Sequence, residues 1–164
     1  MKELRTTEKL IITVATTGAF QGKEANPNLP IQPEEIAQSA YEAWNEGASI
    51  VHIHAREKDT NKPTSDPELF KEIDRLIRDK GCDIIIQHST AQDYIPRLSE
   101  DGRIRAIEMN PEMASLDITM PRMLTFGGKE MIYITTLEEI EVGAKAMLDR
   151  GVKPELEVFS PVLM

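Results

Sequence analysis

The chain is poor in the groups that would tie it to an oxidising compartment, a nucleic acid or a membrane. It has one cysteine, Cys82, among 164 residues, so no internal disulfide can form and a reducing cytosol suits it. Cations are outnumbered: 19 Lys and Arg stand against 28 Asp and Glu, a formal charge of −9. That balance argues against nucleic acid or anionic lipid as a partner, although a local basic pocket could still hold a phosphorylated ligand. No run approaches the roughly 20 apolar residues that span a bilayer. The charged start, through Lys9, has no apolar core behind it long enough for a signal peptide. A soluble, cytoplasmic, single-domain protein is expected.

Against those absences stands a regular alternation of strand and helix. Residues 10–16 are a β-branched run closed by Thr17-Gly18 and read as a first strand. A loop broken by Pro27 and Pro30 follows. Pro33-Glu34-Glu35 opens a helix, with proline at the first position and two acids at the positive end of the dipole. Ile36, Ala37, Ala40, Tyr41 and Trp44 recur at helical spacing up to Gly47, so Tyr41 and Trp44 read as packing residues rather than a ligand platform. Residues 49–54 are the second strand. Asp66-Pro67-Glu68 restarts a helix with an apolar stripe of Leu69, Phe70, Ile73, Leu76 and Ile77, ended by Lys80-Gly81.

Residues 83–88 form a third strand, apolar on both faces as a buried parallel strand should be. Residues 94–99 read as a short helix, Asp101-Gly102 as a turn, and residues 103–108 fit neither period. Residues 113–118 are a fourth strand. Residues 131–135 are strand-like or an extended approach to the next helix, which Thr136 caps with Glu139 three residues on. Leu137, Ile140, Ala144 and Leu148 are its apolar positions, Arg150-Gly151 ends it, and residues 155–159 are the last strand. The order is that of βα units around a parallel sheet.

Two architectures have this rhythm. A doubly wound sheet announces its ligand site with a glycine-rich turn after the first strand, and here glycines occur only at 18 and 22. A (β/α)8 barrel instead sets its chemistry at the C-terminal ends of several strands. Thr16-Thr17, His52-His54-Arg56, Gln87-Ser89-Thr90 and Asp117-Thr119 fall at such ends, which favours the barrel. A complete one takes about 250 residues. The expected fold is therefore α/β of the (β/α)8 TIM-barrel type, with about the first five βα units present as one partial-barrel domain over residues 1–164.

The second strand carries the chemistry. In Ser49-Ile50-Val51-His52-Ile53-His54-Ala55-Arg56 the two histidines project from one face, about 7 Å apart along the strand. They could converge on zinc, which takes histidine nitrogens and, at a catalytic site, one more protein ligand and an open position. The alternative is a strand whose histidines hydrogen-bond to neighbouring loops.

With these strand ends in view, the sequence resembles the β-keto acid cleavage enzyme family. The matching phrases run in order: Ile11-Ile12-Thr13-Val14-Ala15 with Gly18-Ala19; Asn26-Pro27-Asn28-Leu29-Pro30-Ile31 into Pro33-Glu34-Glu35-Ile36-Ala37; and residues 47–56. Next come Gln87 with Ser89-Thr90, then Pro111-Glu112-Met113-Ala114-Ser115-Leu116-Asp117, and Gly151-Val152-Lys153-Pro154-Glu155-Leu156-Glu157-Val158-Phe159. The resemblance implies a metal-dependent acyl transfer in which a β-keto acid and acetyl-CoA become a CoA ester and acetoacetate. It implies zinc held by His52, His54 and a late-strand glutamate, acting as a Lewis acid that stabilises an enolate. Ser89 and Ser115, with Thr90, match substrate-contacting positions, and Glu157, or Glu155 on the same strand face, matches an acidic pocket residue. Their plainer roles are a hydroxyl capping the following helix and a carboxylate paired to a cation.

The departures also carry meaning. The third zinc ligand, and the arginine and aspartate that assist proton removal, are expected beyond Met164, so no catalytic residue of this kind is assigned in the chain. Phe20 replaces the glutamate of the family member whose keto acid bears an amino group, which argues against such a substrate. Ala91-Gln92 stand where the family usually has two glycines, and Ser160-Pro161-Val162-Leu163-Met164 replace the usual Asp-x-Gly, like a chain cut short after the fifth barrel strand. His88, facing the helices if Gln87 and Ser89 face inward, is expected to be structural. Two other readings compete. A remnant with open sheet edges, non-catalytic or completed by another copy, predicts a homo-oligomer. An amidohydrolase-type metallohydrolase also uses His-x-His, but on its first strand and with further histidines, of which only His88 remains.

Overall fold

The computed structural model describes residues 9–91, 104–118, 122–126, 129–133 and 135–159. The expected short helix at 94–99 and turn at 101–102 lie outside them. The elements are β1 (Thr13–Ala15), α1 (Pro33–Asn45), β2 (Ile50–Ile53), α2 (Pro67–Asp79), β3 (Ile85–His88), β4 (Met113–Asp117), β5 (Arg122–Phe126), β6 (Lys129–Tyr133), α3 (Leu137–Arg150) and β7 (Lys153–Glu157).

Five strands form one sheet in the order β1-β2-β3-β4-β7, every pair parallel. Strand order follows chain order, so the right-handed crossovers through α1, α2 and α3 place those helices on the same side. A doubly wound sheet would reverse its order and put helices on both faces. This chain is instead an α/β half-barrel, five strands with the helices outside.

The helix layer explains the alternation along the strands. Ile36, Ala37 and Ala40 of α1 and Phe70, Ile73 and Ile77 of α2 close over Val51, Ile53, Ile84 and Ile86 in one buried cluster. A second cluster sets Ala146 and Met147 of α3 against Ala114 and Leu116 of β4. Gly143 brings α3 close, since a Cβ there would stand 3.2 Å from Leu116 Cδ1. The other strand positions, His52, Gln87, Ser115 and Glu155, belong to the opposite face.

The helix ends follow the expected signals. Asp66 accepts from Glu68 N at the start of α2 at 3.0 Å. Thr136 and Glu139 make a reciprocal capping box at α3. Gly151 ends α3 at φ 71, a left-handed backbone that glycine adopts without steric cost.

Three expectations need adjusting. The first strand is shorter than residues 10–16: its ladder begins with Thr13 opposite Ile50, and Leu10 and Ile11 are largely exposed. The last strand runs Lys153–Glu157 rather than 155–159, because its pairing starts where Lys153 meets Met113. Pro154, the second residue of the strand, masks that start in the sequence. The strand-like stretch near 131–135 is β6, paired antiparallel with β5 in a separate two-stranded sheet after β4. β5 is not among the expected elements, although Gly127-Gly128 between alternating runs is a two-residue hairpin signal.

Candidate metal-binding site

β2 places Val51 and Ile53 in the helix-side core, so His52 between them turns to the inner face. His54 follows just past the strand. The two imidazoles meet edge to face with centroids 4.9 Å apart and Nε2 atoms 3.1 Å apart. Two nitrogens on one tetrahedral zinc, each about 2.0–2.1 Å from it, are about 3.3–3.4 Å from one another. The pair therefore fits two adjacent ligand positions with a shift of a few tenths of an ångström.

Gln87 sits directly opposite His52 in the β2–β3 register. Its Oε1 accepts from His52 Nδ1 at 2.8 Å. Its Nε2 donates to Glu155 Oε2 on β7, reaching across β4, two strand spacings or about 10 Å. Burial pushes the His52 pKa below its ordinary value, opposed by the Gln87 hydrogen bond and the Glu155 charge and reinforced by His88. A neutral imidazole is the form that binds a metal. Among the described residues no three His, Cys, Asp or Glu side chains gather closely enough to hold an ion, so what they contribute is the histidine pair.

The remaining candidates lie just past β3, at the middle of β4 and at the end of β7. Ser115 Oγ accepts from Thr90 N at 3.1 Å and Thr90 Oγ1 donates to the Ser115 carbonyl at 2.8 Å, a two-way tie between β4 and the loop after β3. Ser89, also buried, accepts from Ala91 N at 3.2 Å, the local turn bond of a serine leaving a strand. Glu157 is half-buried and opposite Asp117 in register. Of the two β7 acids, Glu155 is the one bonded into the histidine network through Gln87.

His88 points the other way. Its Nδ1 donates to the Ala106 carbonyl at 2.8 Å, its Nε2 lies 3.0 Å from both Asp74 oxygens, and its ring stacks on Phe70 at 4.3 Å. Arg56, the third residue on the His52 and His54 alternation, is also structural. Its guanidinium donates to the carbonyls of Gly18 at 3.0 and 2.6 Å, Gln21 at 2.9 Å and Asn61 at 2.9 Å, tying together the loops after β1 and β2. The Gln87–Glu155 link is not among the expectations from sequence. A signal existed, since a glutamine on the inner face of a buried strand requires partners at both ends of its amide.

Residues 9–163 match the family model described as beta-keto acid cleavage enzyme. The chain belongs to the β-keto acid cleavage enzyme family. Within it, the chain is 45% identical over 152 residues to 3-keto-5-aminohexanoate cleavage enzyme of Fusobacterium nucleatum, covering 93% of this chain and 53% of the relative. It is 33% identical over 155 residues to 3-oxoadipate:acetyl-CoA acetyltransferase of Cupriavidus necator, covering 93% and 51%. The chain thus spans about half the length of the curated relatives it matches. In fold it resembles ObcA, solved as a ternary complex with a C4-CoA adduct and oxalate. The TM-score is 0.69 at 21% identity, over 83% of this chain and 32% of that one.

Proposed function

We propose that this chain carries the histidine half of a zinc site for β-keto acid cleavage, in which a β-keto acid and acetyl-CoA give a CoA ester and acetoacetate. The observation that supports it best is the convergence of His52 and His54 through their Nε2 atoms, 3.1 Å apart, on the helix-free face of a half-barrel. Zinc bound there would supply Lewis-acid polarisation of the substrate oxygens. His52 and His54 hold it, and Gln87 fixes the His52 ring. Ser115 and Thr90, locked to each other, present hydroxyls beside that site, where Ser89 adds a third. A hydroxyl has one proton and two lone pairs, so Ser115 can accept from Thr90 and still donate to a substrate carboxylate or keto oxygen. Glu157 places a carboxylate on the same β7 face as Glu155, where it bears on which side chain the keto acid carries.

Relatives differ in substrate. The Cupriavidus relative is named for 3-oxoadipate and the Fusobacterium one for an amino-bearing keto acid. Phe20, 41% exposed in the loop after β1, presents an apolar ring rather than a charge and favours a keto acid without an amino group. A second reading has an observation behind it as well: Leu10, Ile11, Leu156 and Phe159 are exposed. Association of two copies that covers them is its consequence. A monomer by light scattering would refute it.

Zinc content of the purified protein tests the main reading. About one equivalent is expected in wild type and none in a His52→Ala/His54→Ala variant, and equal zinc in both would overturn the assignment. Acetoacetate release from a panel of β-keto acids with acetyl-CoA then tests the reaction.

A further inference from the structure

We infer that Glu155 is a positioning residue for His52, acting through Gln87 to keep the His52 Nε2 lone pair available for a metal. The inference rests on the reading of His52 as a ligand.

A carboxylate only accepts hydrogen bonds. Glu155 therefore requires the NH2 end of the Gln87 amide to face it, as it does. The amide is rigid, so its oxygen must face the other way, toward His52, where it lies 2.8 Å from Nδ1. That oxygen is also only an acceptor, so the proton of neutral His52 must be on Nδ1 and Nε2 is left with its lone pair. The direction set by a carboxylate on β7 is thus passed across β4 to the tautomer of a histidine on β2. If Gln87 turned over, its NH2 would face Nδ1, and the proton would be driven to Nε2, where it blocks ligation.

His54 Nε2 stands 3.1 Å from that nitrogen, close to the spacing of two ligands on one ion. Outer partners of this kind orient ligands and raise metal affinity, but they usually touch the ligand directly. Here the controlling charge is one residue further out, which makes it separable from the site itself.

Exchange of the two groups provides the test. In Glu155→Gln the new amide can offer either end to Gln87, so the orientation is no longer enforced although size and hydrogen bonding are kept. The double variant Gln87→Glu/Glu155→Gln restores it in reverse. Glu at 87 accepts from His52 Nδ1 and from the amide now at 155, with no change in net charge. Nitrogen-15 NMR of the imidazoles in zinc-free protein, at about pH 8 where free histidine is neutral, reads the tautomer. Wild type and the double variant are expected to hold His52 with the proton on Nδ1, and Glu155→Gln to show a mixture. Zinc affinity by chelator competition should fall about tenfold in Glu155→Gln and return to within about threefold in the double variant. A pure Nδ1 tautomer in Glu155→Gln, or a mixture in the double variant, would overturn the inference. If wild type binds no zinc, the proposed function fails while the tautomer measurement still decides this point.

Discussion

His52 and His88 stand on adjacent strands, one residue out of phase, and the sheet sends them to opposite fates. His88 is fully buried on the helix side, with an acceptor against each ring nitrogen and Phe70 against its face. Nothing of it remains for a ligand. His52 gives Nδ1 to the Gln87 amide oxygen and brings Nε2 only against a second imidazole, that of His54. The difference lies in how many ring nitrogens meet a fixed acceptor. A histidine with an acceptor on both nitrogens is a strut between elements, and one whose second nitrogen meets only another histidine has the geometry a shared ion would use.

The most severe challenge to that contrast is a pair of alanine substitutions read on two scales. His88→Ala should destabilise by about 3–4 kcal/mol, because it opens a cavity beside Phe70 and strips Asp74 of its partner. Zinc binding per folded molecule should be unchanged. His52→Ala should cost about 1–2 kcal/mol, the loss of one hydrogen bond from the buried Gln87, and abolish zinc binding. Urea midpoints and zinc content measure the two effects. If His88→Ala lost zinc at full folding, or His52→Ala were the more destabilising, the division by committed nitrogens would be wrong.

Most of the frame is legible in the sequence. Pro33, Asp66-Pro67, Thr136 with Glu139 and Gly151 mark helix ends by local chemistry that the fold does not override. Alternation within residues 49–54 is enough to set His52 opposite Val51 and Ile53. Contacts across strands are a different matter. Gln87 and Glu155 are 68 residues apart and meet only because β4 lies between their strands with both residues on its inner side. Periodicity states the face a residue takes and is silent on which distant residue shares that height in the barrel. Pro154 shows the reverse difficulty, a local signal against strand inside a segment that pairs with β4 throughout.

Arg56 sharpens the comparison, because it lies on the same alternation as His52 and His54 and yet is a strut. Three of its nitrogens are bound to three backbone carbonyls, so face alone does not make a side chain functional. Arg56→Lys keeps the charge but loses the planar fork, and a single ammonium cannot reach Gly18, Gln21 and Asn61 together. A loss of about 2 kcal/mol is expected, with amide exchange rising in residues 57–64. There Glu57 N donates to the Lys62 carbonyl and Thr64 N to that of Ala55. Unchanged exchange in that loop would show that the fork is not what holds it.

The smallest effect belongs to the outer rim of the helix layer, where Glu35 contrasts with Asp74, the carboxylate beneath His88. Lys23 at 2.5 Å, then the backbone N–H groups of Ile31 and Gln32, hold the Glu35 carboxyl at about 2 against an ordinary 4.5. Because the folded value is the lower one, this stabilisation is complete above about pH 4.5 and is lost as pH falls toward 2. Lys23 and Glu35 are 44% and 39% exposed, so solvent screens the pair and the contribution is about 1 kcal/mol. Glu35→Gln should remove that part of the acid dependence, giving a stability difference from wild type that is present at neutral pH and closes near pH 2. A gap that stays constant with pH would mean that Glu35 acts through its hydrogen bonds to the α1 N-terminus and not through its charge.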